Sequence, residues 1–91
     1  MERRLIRISG IVQGVGFRAF VYRLACELKV TGFVRNDGND VLIEVEGPED
    51  VLEPIVQRLG SESPRGARVD SIESEALALA GSTRFEIQPS R

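Results

Sequence analysis

Gly14-Val15-Gly16-Phe17-Arg18 stands between the run Leu5 to Val12 and a helical stripe that opens at Phe17, and its reading decides the fold. Before it, Ile6 and Ile8 alternate with Arg7 and Ser9, the period of a half-buried strand. After it, Phe17, Phe20, Val21, Leu24 and Leu28 recur at the spacing of one helix face, which leaves Cys26 on the opposite, semi-exposed side. A strand that runs through two glycines into a helix presents the unpaired N–H groups of the first turn, and a partial charge of about +0.5, at one point. Gly14 and Gly16 tolerate positive φ, so successive amides can turn inward as a nest for phosphate oxygens. Arg18 in that turn opposes the dipole by ~0.3–1 kcal/mol, a placement that makes sense when an anion lies between them. Its planar fork grips two oxygens at once.

Outward from this junction the periods change in order. Thr31-Gly32 stops the helix and Phe33-Val34-Arg35 starts a second strand. Asn36-Asp37-Gly38-Asn39-Asp40 is rich in turn residues, and Val41, Ile43 and Val45 then share one side of a third strand, so the two form a hairpin. A second helix follows Gly47-Pro48 with the stripe Val51, Leu52, Ile55, Val56 and Leu59. Pro54 should disturb its first turn, so the regular part is placed after about Asp50. Ser61 to Gly66 reads as a loop. Val69, Ile72 and the run Ala76 to Ala80 suggest a fourth strand, and Arg84-Phe85-Glu86-Ile87 a short fifth. The predicted fold is α+β, a ferredoxin-like split βαβ sandwich. Its antiparallel sheet of four to five strands carries both helices on one face and leaves the far face solvated, with residues 1–91 as one domain.

Composition bounds the chemistry. The chain has 91 residues, 42% hydrophobic and 29% charged, which suits one small globular domain. No run approaches the ~20 apolar residues of a membrane span, and the N-terminal apolar stretch is too short for a secretory leader. With a single cysteine and so no internal disulfide, the expected location is the cytoplasm. The net charge of −2 hides an asymmetry, because residues 1–36 are basic and the remainder acidic, and the glycine loop lies in the basic part. Overall acidity argues against a nucleic-acid surface. The absence of histidine removes His-based triads and the commonest transition-metal sets, and no cofactor is expected. A carboxylate metal site at Asp37 and Asp40 stays open, although acids in turns are usually only that. The loop also fits a relaxed dinucleotide fingerprint, but the hairpin after the second strand breaks the required parallel crossover. No Gly-Lys-Ser or Gly-Lys-Thr follows for a Walker-type loop, and Gly32 stands where a cysteine phosphatase would need arginine after Cys26.

Taken together, Gly10-Ile11-Val12-Gln13-Gly14-Val15-Gly16-Phe17-Arg18, Gly32-Phe33-Val34-Arg35-Asn36 and Ala67-Arg68-Val69-Asp70 resemble the acylphosphatase family over nearly the whole chain. The resemblance implies metal-free hydrolysis of acyl phosphates to a carboxylate and inorganic phosphate. By motif position Arg18 corresponds to the phosphate-binding arginine and Asn36 to the water-orienting asparagine. The loop of Gln13, Gly14, Val15, Gly16 and Phe17 then corresponds to the phosphate cradle. Finer features resemble one branch, the N-terminal domain of the hydrogenase maturation carbamoyltransferase. Among them are Val34-Arg35-Asn36-Asp37-Gly38 without an insertion, Ile43-Glu44-Val45-Glu46-Gly47 and the closing Phe85-Glu86-Ile87. Ala19 departs from that branch, which typically has proline there, and is similar to free-standing acylphosphatases, the alternative that the resemblance implies. The branch implies carbamoyl phosphate as substrate and, as partners, the rest of the carbamoyltransferase and its hydrogenase maturation partner.

An acyl phosphate has a good leaving group, so a catalyst needs chiefly to hold the phosphoryl group, stabilise its charge and place water in line. Two other classes stay open on the residues alone. A small-ligand or RNA-binding ferredoxin-like module would need stacking aromatics on the open sheet face, and the chain has four Phe and one Tyr, mostly on helix stripes or at strand starts. A non-catalytic scaffold domain would use the same fold without turnover.

Overall fold

Alternation in the first segment makes a strand, β1 (Glu2–Ile11), whose Ile6 and Ile8 are fully buried. The computed structural model describes residues Met1–Arg91. Six elements follow: α1 (Phe17–Leu28), β2 (Thr31–Asp37), β3 (Asp40–Gly47), α2 (Glu49–Ser61), β4 (Arg68–Leu77) and β5 (Phe85–Ile87). The strands form one sheet in the order β4-β1-β3-β2-β5. This is the split βαβ arrangement, in which β1 and β2 flank β3 and α1 crosses over.

β1 pairs antiparallel with β3 and β4, and β2 pairs antiparallel with β3. β5 corrects the expectation of an antiparallel sheet: it runs parallel to β2, with Val34 opposite Ile87. The sheet is therefore mixed. Its apolar face, with Ile6, Ile8, Val34, Val41, Ile43, Val45 and Phe85, meets Phe17, Val21 and Leu24 of α1 and Leu52, Ile55 and Leu59 of α2 in one core. α1 lies over β2 and β5, and α2 over β1, β3 and β4. Phe17 and Phe20 meet edge to face at 5.5 Å. The α1 stripe differs from the predicted one in a single position, since Ala25 is buried where Leu28 is only half-buried. No helix is long and apolar enough to cross a membrane.

Two further expectations need correction. Pro54 does not disturb the start of α2; the first turn forms, with Val51 and Leu52 N–H donating to the Pro48 carbonyl at 3.0 and 3.1 Å. Pro54 only deprives one later turn of its hydrogen bond, a loss the burial of Leu52, Ile55 and Leu59 outweighs. The far sheet face is also not wholly solvated. Arg3 and Glu46, 4% and 5% exposed, lie on it beneath the segment that follows β4, which ends at Leu77 rather than running on to Ala80. Arg3 donates to Glu44 at 2.8 Å, to Glu46 at 3.2 Å and to Ser82 at 2.9 Å, while Ala80 and Gly81 N–H donate to Glu46 at 2.7 and 3.1 Å. These partners make the buried pair tolerable, since an isolated buried charge would be costly. They also hold the Glu46 carboxyl below the usual carboxylate range, the Ala80 N–H contributing most.

The last turns of β1 aim the chain at the site. The ladder with β4 slips between Ser9 and Gly10, and Gly10 has φ 136°. A side chain there would collide with the Arg68 carbonyl, so only glycine lets β4 approach as β1 bends into the loop.

Candidate active site

Between β1 and α1 the chain passes through Gly14 and Gly16 with φ of 76° and 80°, the left-handed conformation expected of a nest. No side chain caps α1 and no acid sits in its first turn. The N–H groups from Gln13 to Ala19 have no main-chain carbonyl partner, and the ladder of α1 begins with Phe20 N–H donating to Gly16 at 3.1 Å. A run of unpaired donors at a helix start, with the dipole behind them, has the electrostatics to hold an anion.

Asn36 reaches the same place from β2. It follows Val34 by two residues, so its side chain points to the helix layer, at the end of the strand nearest the start of α1. Val12, Gln13, Gly14, Gly16, Phe17, Arg18, Ala19, Asn36 and Ile87 line one open pocket of ≈ 310 Å³. The structure thus brings Gln13, Gly14, Gly16, Phe17, Arg18 and Asn36 together. Val15 is the exception: its side chain turns away, beside Gly66 and against the core, and does not line the pocket.

Arg18 is half-buried and forms no ion pair with any carboxylate of the chain. The Asn36 carboxamide oxygen is shielded from solvent and accepts no hydrogen bond from the protein. Leaving a polar atom so costs about 1–3 kcal/mol, which is reasonable where a substrate or an attacking water completes it. A free guanidinium, a row of free amides and one free carboxamide oxygen can bind a tetrahedral dianion and orient a water against it.

Sequence reasoning missed two roles. The Gln13 side chain is committed elsewhere: its Nε2 donates to the Gly38 carbonyl at 2.8 Å and the Asp40 carbonyl at 2.9 Å, tying the loop to the β2–β3 turn near Asn36. Only its main-chain N–H is left to face a ligand. The chain after β5 also holds Asn36, because Arg91 N–H donates to the Asn36 carbonyl and Gly38 N–H to the Arg91 carbonyl, both at 2.9 Å. No local pattern announces such a bond, whereas a glutamine before two glycines could have suggested a loop tether. Asp37 and Asp40, left open as metal ligands, both pair with Arg7, at 2.8 and 3.1 Å. The Arg7 hydrogen bond holds the Asp37 carboxyl below its ordinary range, and a cation of the chain already occupies these carboxylates.

A family model described as acylphosphatase matches residues 5–87. The chain belongs to the acylphosphatase family. It is 49% identical over 87 residues to a carbamoyltransferase HypF of Rhizobium leguminosarum bv. viciae, covering 96% of this chain and 11% of that protein. An acylphosphatase of Pseudothermotoga lettingae is 41% identical over 90 residues, covering 98% of this chain and all of that one. Among solved structures, the Bacillus subtilis acylphosphatase superposes with a TM-score of 0.92 at 36% identity, covering 97% of this chain and 99% of that one. The chain thus spans about a tenth of its carbamoyltransferase relative and the full length of the acylphosphatase.

Proposed function

We propose that this acylphosphatase-family chain hydrolyses acyl phosphates without a metal, with Arg18 and Asn36 as its catalytic residues. The observation that carries the assignment is the convergence on one pocket of unpaired N–H groups, an unpaired guanidinium and the side chain of Asn36, whose carboxamide oxygen has no partner in the protein. The amides from Gln13 to Arg18 and the Arg18 fork hold the phosphoryl oxygens and stabilise the charge that spreads over them in the transition state. The Asn36 oxygen accepts a hydrogen bond from water and so aims its lone pair at phosphorus. As the new P–O bond forms, the bond from phosphorus to the bridging oxygen breaks and its electron pair departs with the carboxylate. One water proton stays on the attacking oxygen and the other passes to a phosphoryl oxygen, giving dihydrogen phosphate. No strong base is needed, because the carboxylate is a good leaving group and the phosphoryl oxygens of the substrate accept the proton.

The natural substrate within this class is carbamoyl phosphate, and the chain acts as the N-terminal domain of a hydrogenase maturation carbamoyltransferase. Its partners are then the remainder of that enzyme and the maturation protein it serves. Identity to the HypF relative over 96% of the chain supports this reading. A free-standing acylphosphatase is the second reading, favoured by the end-to-end match to the Pseudothermotoga protein. A scaffold role explains neither the free Arg18 nor the unsatisfied Asn36.

Steady-state hydrolysis of benzoyl phosphate, with Arg18→Ala as control, tests the chemistry. Turnover that survives in the variant, or none in the parent chain, rejects it. Carbamoyl phosphate as competing substrate tests the narrower reading, and failure to compete would reject that alone.

A further inference from the structure

We propose that Ile87, together with Ala19, forms an apolar wall that receives the acyl portion of the substrate and selects acyl groups carrying no charge. The inference rests on the acyl phosphate reading above and deepens it.

Phosphoryl and acyl groups share one bridging oxygen, so an acyl group whose phosphate sits in the cradle must lie against whatever rims the cradle. That rim is unusually poor in charge. Arg18 is the only charged side chain among the pocket's lining residues, and the dianionic phosphoryl group engages it. The Gln13 carboxamide nitrogen is already shared between two carbonyls. The exposed side chains left for the acyl group are Ala19 on α1 and Ile87 on β5.

Ile87 is 46% exposed and lines the pocket, whereas Ile11 of β1, 48% exposed, does not. Its position follows from the parallel ladder, which sets it opposite Val34, two residues before Asn36. It shares a face with the buried Phe85, which meets Tyr22 of α1 edge-on at 6.3 Å, so β5 turns this face toward α1. Glu86 and Gln88 alternate to the other face. Arg23, the next cation along α1, lies a turn beyond Ala19 and does not line the pocket. A carboxylate or second phosphate on the acyl group would therefore lose water against Ile87 and gain no counter-ion, whereas an aryl or alkyl group loses nothing by that contact and an uncharged carbamoyl group loses far less than a charged one.

The test compares two substrates on the full chain: benzoyl phosphate, whose acyl group is neutral, and succinyl phosphate, whose acyl group bears a carboxylate. The parent chain should favour benzoyl phosphate in kcat/KM by ~10-fold or more. Ile87→Lys should move that ratio toward succinyl phosphate by ~5-fold, the scale of a partly exposed charge pair, and Ile87→Asp should move it the opposite way. Taking the ratio within each variant cancels damage to the cradle common to both substrates. A ratio unchanged across Lys, Asp and parent, or a parent preference for succinyl phosphate, overturns the inference while leaving the acyl phosphate reading intact. Turnover of neither substrate by the parent chain overturns both.

Discussion

The two helices of this molecule begin in opposite ways. α2 starts behind Pro48, with Glu49 and Asp50 in its first turn to complement the dipole and with the Val51 and Leu52 N–H groups on the Pro48 carbonyl. α1 starts behind a left-handed Gly16, carries no acid or side-chain cap and puts a guanidinium where α2 puts carboxylates. A third set of main-chain donors, at Ala80 and Gly81, shows the remaining possibility: the chain fills it with its own anion, Glu46. The contrast teaches that the start of α1 functions by omission. It lacks both a side-chain cap and a first-turn acid, forgoing ~0.3–1 kcal/mol, and its donors are left free for the phosphoryl group proposed above.

The strongest blow to the contrast is Arg18→Ala, which takes the cation from the bare helix start. It should lower kcat/KM by ~10³-fold or more, the scale of a transition-state arginine, and abolish competitive inhibition by inorganic phosphate. Retained phosphate inhibition would show that the amides alone define the site. Next in size, Asn36→Ala leaves the donors untouched and removes the water's acceptor. Turnover should fall by ~10²-fold with phosphate inhibition nearly unchanged, and an equal loss of both would make Asn36 a binding group instead. Ala19→Glu gives α1 the acid that α2 has. Its thermal midpoint should stay level or rise while phosphate binding weakens by ~10-fold, and a variant that keeps full phosphate affinity would break the comparison.

The smallest effect concerns the filled donors. Glu46 has a lowered carboxyl pKa in the fold, so its contribution is complete above the unfolded value of ~4.3 and is lost as pH falls through the folded one. Thermal melts of the parent should therefore lose stability below pH ~4 more steeply than those of Glu46→Gln. Parallel slopes would mean that Ala80 and Gly81 do not depend on the carboxylate charge.

Long-period elements were legible in the sequence because burial repeats over several turns or pleats. Phe17 to Leu28 and the Val34–Val45 hairpin are of that kind, and with them came the split βαβ order, whereas the place of Asn36 beside Gly16 and Arg18 was legible only through the family resemblance. β5 was legible as a strand but not in its direction, since three residues have no period that separates parallel from antiparallel pairing. For the same reason Ile87 went unseen as a wall of the pocket. The expectation of a solvated far face missed the burial of Arg3 and Glu46, because alternation fixes the side of a sheet but not what crosses over it. The tether from Gln13 to Gly38 and Asp40 joins residues far apart in sequence, and only the folded register brings those carbonyls within reach.

The β1 register has a kinetic consequence. β1 is threaded between β3 and β4, and at its cradle end Ile11 lies opposite Arg68, so the strand leading into the cradle is flanked on both sides only after more than half the chain has looped back. Closures of that span slow folding relative to local contacts, and they place the site among the last parts to be completed. In refolding from denaturant, phosphatase turnover should then recover no earlier than the slowest spectroscopic phase.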